Sequence, residues 1–304
     1  MRTVLVTGAA SWEGIRLVRR LHRRGDLRVV AVDESAAPIP LPVPLQRWSL
    51  DSLDFAHWVL DLEPDTGVHL QTIDRSDQLG EGRARQTMVL GAQALFGALI
   101  RLRSLERVVV KSDASIYGTG PRHPTIADEA APFEGTPTSH ERALRDVEQY
   151  VAELAAELPA AAVTVLRFVD AHADHVDSPL SRLLRLPAVP VVLGHDPLLQ
   201  LIAPDDVIAC LEHALDVGAA GTFNVAPELP LYLSQILRVG GATRVPLIGP
   251  QLSATLRALA AGGLSIPDHT RGLLRHGRVV RIDAMRSVLG FEPTVTTRSV
   301  VEAS

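Results

Sequence analysis

The first residues whose spacing suits chemistry are two glycines in the segment Thr7-Gly-Ala-Ala-Ser-Trp-Glu-Gly14. Gly8 follows a short apolar run and Gly14 opens a helical pattern, so a strand would turn tightly into a helix at this point. The N-terminus of a helix presents free backbone N–H groups, and these groups bind phosphates. The segment therefore predicts a turn of the kind that holds the pyrophosphate of a dinucleotide.

Two residues inside this turn depart from the usual pattern. Ser11 stands where a third glycine normally lets the backbone approach the phosphates, although its hydroxyl could itself donate to phosphate. Glu13 adds a carboxylate beside the expected anion, which it would repel unless it points away or pairs with an arginine such as Arg16. A turn that has lost its ligand therefore remains an open alternative.

Asp33 follows the second predicted strand, Arg28–Val32. A carboxylate at the end of this strand accepts the ribose hydroxyls of NAD and repels the 2′-phosphate of NADP. The order of strand, glycine turn, helix, strand and acid therefore predicts a dinucleotide site that favours NAD over NADP.

These residues are positioned by alternating strand and helix patterns. Further strands are predicted at Thr3–Val6, Gly67–Thr72, Arg107–Val110 and Ala161–Phe168, and helices at Gly14–Arg24, Leu53–Leu60, Gly80–Arg103 and Ser139–Leu158. Such alternation predicts an α/β fold with a doubly wound parallel sheet, Rossmann-like, and with ligands at the carboxyl ends of the strands. From Asp170 onward the pattern loosens, which predicts a smaller, irregular C-terminal substrate lobe. Residues 1–169 and about 203–230 would form the dinucleotide-binding domain, and about 170–202 and 231–304 the substrate lobe.

Composition narrows the class of protein. The 304 residues carry a net charge of −5, which gives no sign of a nucleic-acid-binding surface. A single cysteine, Cys210, excludes an intrachain disulfide and a thiolate metal cluster. The chain shows no secretory leader and no apolar stretch of membrane-spanning length, so we expect a soluble, cytoplasmic protein.

A series of segments in consistent order resembles the extended short-chain dehydrogenase/reductase family, the NAD-dependent epimerases and dehydratases that act mainly on nucleotide sugars. The segments are Val4–Gly8, Val30–Asp33, Val68–Leu70, Val109–Gly118, Leu166–Arg167, Ile202–Val207, Gly221–Val225, Ile282–Asp283 and Leu289–Pro293. The resemblance implies a small polar substrate such as a nucleotide sugar, and a homodimer packed through the two long helices. It also implies that the cofactor would lie against Trp12, Leu50, Leu70, Gln71 and Lys111, besides the turn and Asp33.

The family's chemistry rests on a Ser or Thr, a Tyr, and a Lys four residues after the Tyr. The resemblance aligns Asp113 with the Ser/Thr, His140 with the Tyr and Leu144 with the Lys. The sequence excludes a Tyr–Lys couple at this spacing, because Lys111 is the only lysine and it does not lie four residues after any tyrosine: Tyr117, Tyr150 or Tyr232. The usual triad is therefore degenerate, as in an atypical member of the family.

Three functions remain open on this basis. The chain could bind NAD without the standard mechanism, either catalytically silent or with a different acid–base set. It could be an active oxidoreductase or nucleotide-sugar epimerase or dehydratase in which Asp113 orients His140 and raises its pKa. It could also be a partner-binding protein that holds no cofactor. A purely structural role for His140, at the start of a helix capped by Thr138 and Glu141, competes with the second interpretation.

Three further sets of residues contain types that bind ligands. The cluster His172, Asp174, His175 and Asp177 contains metal-ligand types, but we interpret it as a polar loop near the substrate mouth and predict no metal. Lys111, at the end of the predicted strand Arg107–Val110, could partly replace the lost lysine or bind phosphate. Several arginines of the substrate lobe could grip a diphosphate: Arg182, Arg185, Arg271, Arg275 and Arg278.

Overall fold

The computed structural model describes residues 1–70, 81–121, 123–124, 126–133 and 135–304. Within these residues, seven strands form one parallel sheet: β1 (Arg2–Thr7), β2 (Leu27–Asp33), β3 (Leu45–Arg47), β4 (Thr66–His69), β5 (Arg107–Asp113), β7 (Ala162–Phe168) and β10 (Gly221–Val225). Their spatial order is β10-β7-β5-β4-β1-β2-β3. This confirms the predicted doubly wound α/β fold.

The remaining strands are short and pair outside this sheet. They are β6 (Ile126–Ala127), β8 (Ala188–Val192), β9 (Leu198–Leu199), β11 (Leu231–Tyr232), β12 (Thr243–Leu247) and β13 (Val279–Val280). β13 pairs with β6 and β12 with β8 in parallel, whereas β11 pairs with β9 antiparallel. The pairing of β13 with β6 ties the C-terminal part of the chain to the loop that follows β5.

One set of helices flanks the sheet. They are α1 (Trp12–Arg24), α2 (Leu53–Leu62), α3 (Glu81–Leu99), α4 (Ser139–Glu157) and α6 (Pro204–Val217). α1 packs on α6, while α2 packs on α3 and α3 on α4, as expected for a sheet covered on both sides. The other helices are α5 (Pro179–Leu184), α7 (Leu233–Val239), α8 (Gly249–Ala261), α9 (Asp268–His276) and α10 (Thr297–Glu302).

The buried apolar side chains form two clusters. The larger contains the sheet and its flanking helices, and it also includes Ile282, Met285, Leu289 and Phe291 near the end of the chain. The smaller is built from α5, β8, β9 and α7 to α10. The second half of the chain thus has an apolar core of its own, while one C-terminal segment returns to the core of the sheet.

Local signals explain where α1 and α4 begin. α1 starts at Trp12, two residues earlier than predicted, because the Ser11 side chain caps it by accepting the N–H of Gly14. α4 starts at Ser139 as predicted, since Thr138 and Glu141 form a reciprocal capping box. No helix among the described residues is long and apolar enough to cross a membrane.

Candidate cofactor crevice and acid–base cluster

The turn between β1 and α1 requires both of its glycines. Gly8 has a φ of 76°, in the left-handed region that favours glycine. A Cβ on Gly14 would lie 2.3 Å from the carbonyl oxygen of Gly8 and 2.6 Å from the Cα of Ala9. The Ser11 hydroxyl donates to the Gly8 carbonyl at 2.7 Å and accepts from the Gly14 N–H at 3.0 Å. Ser11 therefore holds the turn in its conformation, and its hydroxyl is already engaged.

The Asp33 carboxylate lies directly against this turn. One oxygen accepts the N–H of Ala10 at 2.9 Å, and the other accepts the N–H of Ser35 at 2.8 Å. A carboxylate offers about four acceptor positions, so both oxygens can still accept ribose hydroxyls. The Trp48 N–H donates to the Asp33 carbonyl at 3.2 Å, which holds the segment leading to buried Leu50 at this end of the sheet.

The strand order creates a crevice between β1 and β4. The chain runs from β1 to β2 on one side, whereas β4 and β5 lie on the other, so the order of connections reverses here. Such a switch point is where open α/β sheets bind dinucleotides. Leu70 follows β4 directly, is buried, and donates its N–H to the Thr7 carbonyl at 3.1 Å. The predicted cofactor contact Gln71 lies outside the described residues.

An ion pair links the two sides of this crevice. Lys111 Nζ, from β5, lies 3.1 Å from Glu13 Oε1, in the first turn of α1, and the two side chains are only 12% and 10% exposed. The expected partner Arg16 instead pairs with Asp205 of α6, at 2.9 Å. α1 packs on α6, so Arg16 reaches the neighbouring helix rather than the crevice.

The predicted acid–base residues meet at the carboxyl end of β5. Asp113 accepts the N–H of Ser115 at 2.6 Å and interacts electrostatically with His140, which belongs to the first turn of α4. The His140 ring stacks on His269 of α9, with centroids 4.4 Å apart and planes at 27°. Arg278, which precedes β13, lies 3.2 Å from Asp170 and 4.0 Å from Asp113. The cluster thus joins the sheet to elements of the second half of the chain.

The electrostatics of this cluster favour an ionised carboxyl beside neutral imidazoles. Burial would raise the pKa of Asp113, but the charge of Arg278, the neighbouring imidazole of His140 and the hydrogen bond from Ser115 outweigh it, so the net pKa is lowered. Burial lowers the pKa of His140, with further lowering by Arg278 and Lys111. Burial, with the neighbouring His140, lowers the pKa of His269 to about 3.

The pKa of His140 is shifted in the direction opposite to the one expected from the sequence. The negative charge of Asp113 does raise the pKa of His140, as expected for a carboxylate beside an imidazole, but loss of hydration on burial has the larger effect and the net pKa falls. A neutral imidazole can accept a proton at its unprotonated ring nitrogen, so the arrangement suits a general base rather than a permanently charged group.

The positions that would hold the usual tyrosine and lysine have other surroundings. Leu144 is buried in the core. Tyr117 donates to Asn224 Oδ1 and accepts from Arg167 Nη1, both at 2.7 Å, in the protein interior. Burial is the largest cause of the raised pKa of Tyr117. Tyr117 is therefore a structural residue, bonded far along the chain to β7 and β10.

The polar loop after β7 is held by contacts within the protein. His172 shares a hydrogen bond with Ser181 at 2.8 Å, and Arg182 pairs with Asp177 at 3.1 Å. Arg185 donates to the carbonyls of Ala173 and Asp174. Among the residues that the structure describes, no group of three or more His, Cys, Asp or Glu could hold a metal. These arginines hold their own loop, which weakens their interpretation as a diphosphate grip.

Sequence reasoning missed His269 and Asp170. Asp170 lies just after β7, and its position near the carboxyl end of a predicted central strand could have signalled it. His269 lies on a short helix far along the chain, and no local pattern indicates that it meets His140.

Comparison with known proteins decides the family. Residues 4–226 match the sequence model of a family described as "NAD dependent epimerase/dehydratase family". The chain belongs to the NAD-dependent epimerase/dehydratase family. Over 315 aligned residues it is also 33% identical to "Uncharacterized protein Rv0501" of Mycobacterium tuberculosis, covering 97% of this chain and 81% of that protein. "Uncharacterized protein Mb0513" of Mycobacterium bovis is similar to the same extent.

Solved structures of epimerases and dehydrogenases share the fold of this family member. A short-chain dehydrogenase/reductase superfamily protein of Agrobacterium tumefaciens, with bound NAD, superposes with a TM-score of 0.75 at 18% identity, covering 99% of this chain and 95% of that one. UDP-glucose 4-epimerase of Thermotoga maritima, with UDP-glucose, gives 0.74 at 17% identity, covering 99% and 96%. MoeE5, in complex with UDP-glucuronic acid and NAD, gives 0.74 at 22% identity, covering 99% and 97%.

Proposed function

We propose that this chain binds NAD in the crevice between β1 and β4, as a family member without the Tyr–Lys mechanism. One observation carries the proposal: the hydrogen bond from Ala10 N–H to Asp33, at 2.9 Å, joins the glycine turn to the carboxylate at the end of β2. A pyrophosphate would take the turn and the N-terminus of α1, and a ribose would take Asp33. The relatives that hold NAD on the same fold support it.

Cofactor titration tests this proposal. NAD or NADH in excess should raise the melting temperature, because a ligand at about 100 times its Kd stabilises the fold by about 2.7 kcal/mol. NADP should raise it much less, since its 2′-phosphate would meet Asp33. Asp33→Ala should weaken NAD binding about tenfold or more, while Asp283→Ala, at a carboxylate exposed to solvent, should not.

A second substitution at Asp33 is needed as a control, because the Asp33 carboxylate also accepts the N–H of Ala10 in the turn. Asp33→Asn keeps one acceptor oxygen and serves if the alanine variant does not fold. If the folded wild-type chain shows no shift with NAD, NADH or NADP, the proposal is wrong and the third interpretation, a partner-binding protein without cofactor, takes its place.

We further propose that any proton transfer at this site uses His140 and Asp113. Bound NAD would supply a hydride acceptor for a substrate alcohol. The neutral imidazole of His140 would take up the proton of the hydroxyl at a ring nitrogen, and the Asp113 carboxylate would stabilise the imidazolium so formed. The half-buried His140, stacked on His269 and in electrostatic contact with Asp113, favours this candidate.

A panel of nucleotide sugars tests the acid–base proposal. Turnover, followed by the absorbance of reduced nicotinamide and by chromatography of the sugars, should fall about a hundredfold or more in His140→Ala. Asp113→Asn should lower it as well, whereas His195→Ala, an exposed histidine outside the cluster, should not. A wild-type chain that binds NAD but leaves every sugar unchanged would favour the catalytically silent form.

Four broader expectations stay with this proposal. The substrate would be a small polar metabolite such as a nucleotide sugar, the ligand class that UDP-glucose 4-epimerase and MoeE5 hold on the same fold. The second half of the chain would form the substrate lobe, and the protein would be cytoplasmic. It would be a homodimer packed through α3 and α4.

A further inference from the structure

The ion pair of Glu13 and Lys111 crosses the crevice that the proposed NAD site uses. In the sheet, β4 lies between β1 and β5, so the Lys111 side chain must pass over the end of β4 to reach α1. Glu13 lies in the first turn of α1, where its carboxylate shares the helix end with the expected pyrophosphate. The pair therefore joins the helix end that would bind a pyrophosphate to the strand on the other side of the crevice.

A carboxylate at this point has a clear electrostatic consequence. The first turn of a helix attracts an anion, and the internal anion Glu13 competes for that attraction with a phosphate. Two negative groups so close together repel each other strongly when the site is shielded from water, as it is here with Glu13 only 10% exposed. Without a compensating cation, Glu13 would oppose binding of a pyrophosphate.

Lys111 supplies that cation from across the crevice. Its ammonium is compact and can approach a carboxylate as a point charge. It is the only lysine in the sequence, and all the other Lys or Arg positions are arginine, whose guanidinium is broader. With its side chain only 12% exposed, Lys111 is largely shielded from solvent, so water and salt screen its attraction to Glu13 only weakly.

We propose that Lys111 determines the affinity of the crevice for the dinucleotide by neutralising and holding aside the Glu13 carboxylate. The inference rests on the NAD binding proposed above. Lys111 acts through Glu13 and is a positioning residue. Because of this ion pair, the turn can carry the acidic Glu13 and still bind a pyrophosphate.

A double-mutant cycle tests this role by measuring the Kd of NAD with wild type, Lys111→Met, Glu13→Gln and the double variant. Lys111→Met leaves Glu13 uncompensated and should weaken binding about tenfold or more. Glu13→Gln removes the repulsion and should tighten binding about threefold. Because Lys111 acts through Glu13, the double variant should bind NAD as Glu13→Gln does, whereas independent effects would leave it about threefold weaker than wild type. Lys111→Arg, which keeps the charge, should stay within about threefold of wild type.

Two smaller probes locate the effect. ADP-ribose carries the pyrophosphate without the nicotinamide, so its affinity should fall in Lys111→Met as that of NAD does. Adenosine carries no phosphate, and its affinity should change much less. Equal losses for adenosine and ADP-ribose would place the effect outside the phosphate region and overturn the proposal.

The remaining outcomes separate this inference from the proposed function. If wild type binds NAD but the effects of the two single variants simply add, or Lys111→Met binds as wild type does, the inference fails and NAD binding stands. If Lys111→Met does not fold, the Glu13→Gln variant decides, since unchanged affinity there would overturn the inference. If wild type binds no dinucleotide, both proposals fail together.

Discussion

Gly14 is the residue at which the crevice tolerates least change. A Cβ there would overlap the Gly8 carbonyl oxygen at 2.3 Å, and that atom is backbone that cannot move without opening the turn. We expect Gly14→Ala to lower the free energy of unfolding by about 1–3 kcal/mol, the usual effect of overpacking. The variant should also lose the affinity for NAD proposed above, because the turn must widen.

Gly249→Ala is the matched control for this substitution. A Cβ at Gly249 has no heavy atom within 4 Å and the residue has no positive φ, so stability should change by less than about 0.5 kcal/mol. Chemical denaturation of the two variants beside wild type measures both values. Equal stability of all three proteins would contradict the close packing at Gly14.

His172 should make the stability of the protein depend on pH in the mildly acidic range. Burial, followed by the charge of Arg185, lowers the pKa of His172 to about 4, from about 6.5 in an unfolded chain. The unfolded chain therefore binds more protons between these two values, and stability is full above about pH 6.5 and falls as the pH drops towards 4. One such group contributes a slope of up to about 1.4 kcal/mol per pH unit.

Substitution isolates the contribution of His172. Asparagine can keep a polar atom near Ser181 but does not titrate, so His172→Asn should lose most of this slope. Urea unfolding at several pH values between about 7 and 5 measures it. Above about pH 7 the two proteins should differ by a constant amount. Identical slopes below that pH would show that His172 titrates alike in both states.

At the scale of elements, the start of α4 fixes the position of His140. The Thr138 side chain accepts the N–H of Glu141 at 3.3 Å, and the Glu141 side chain accepts the N–H of Thr138 at 2.8 Å. Because His140 lies between these two residues, the capping box sets the geometry of the first turn that carries it. The same local signal in the sequence therefore serves both the helix and the acid–base cluster.

Removing this cap should cost about 1 kcal/mol of stability. Thr138→Ala deletes the oxygen that accepts the Glu141 N–H, and such losses at N-caps lie between about 0.5 and 2 kcal/mol. Thr138→Ser keeps a hydroxyl at this position and is expected to stay within about 0.5 kcal/mol of wild type. Thermal and urea unfolding compare the three proteins, and an alanine variant as stable as the serine variant would argue against a working cap.

A second element-scale feature ties the sheet to its neighbours. Arg167 of β7 binds Glu148 of α4 at 2.6 Å and Tyr117 at 2.7 Å. Hydrogen bonds to Glu148 raise the pKa of Arg167 although burial alone would lower it, so the guanidinium stays charged inside the protein. The Ser112 hydroxyl adds a bond to Glu148 at 2.5 Å. This network keeps the end of β5 and the helix α4, which carry Asp113 and His140, in fixed relation.

At the scale of the whole molecule, the proposed dimer gives the simplest physical test. α3 and α4 pack on each other beside the sheet, and partly buried apolar residues of this layer include Val89, Ile100 and Tyr150. If these helices form the dimer, sedimentation should give a mass of about twice the 32.7 kDa of one chain.

Hydrogen exchange can locate the contact. On dilution of the dimer to monomer, exchange should rise in α3 and α4, while α8 and α9 of the second half should not change. A monomer at every concentration would refute the dimer, and a dimer whose changes lie in α8 or α9 would refute the proposed interface.

The sequence by itself determined five of the seven strands of the sheet (β1, β2, β4, β5 and β7), the helices α1 to α4 and the glycine turn. These features depend on apolar periodicity, on caps such as Ser11 and Thr138, and on backbone conformations that only glycine adopts readily, as at Gly8. All of them are set by neighbours in the chain, so a local pattern records them. The missing Tyr–Lys couple was readable for the same reason, since one lysine admits a direct check.

Only the tertiary structure decided which side chains meet across the crevice. Glu13 pairs with Lys111 rather than with Arg16, and the His140 ring stacks on His269, which lies on a helix far along the chain. It also reversed the expected direction of the pKa of His140, because burial outweighs the charge of Asp113. Contact between distant segments and loss of hydration both depend on how the two apolar cores pack together, and no local spacing encodes that.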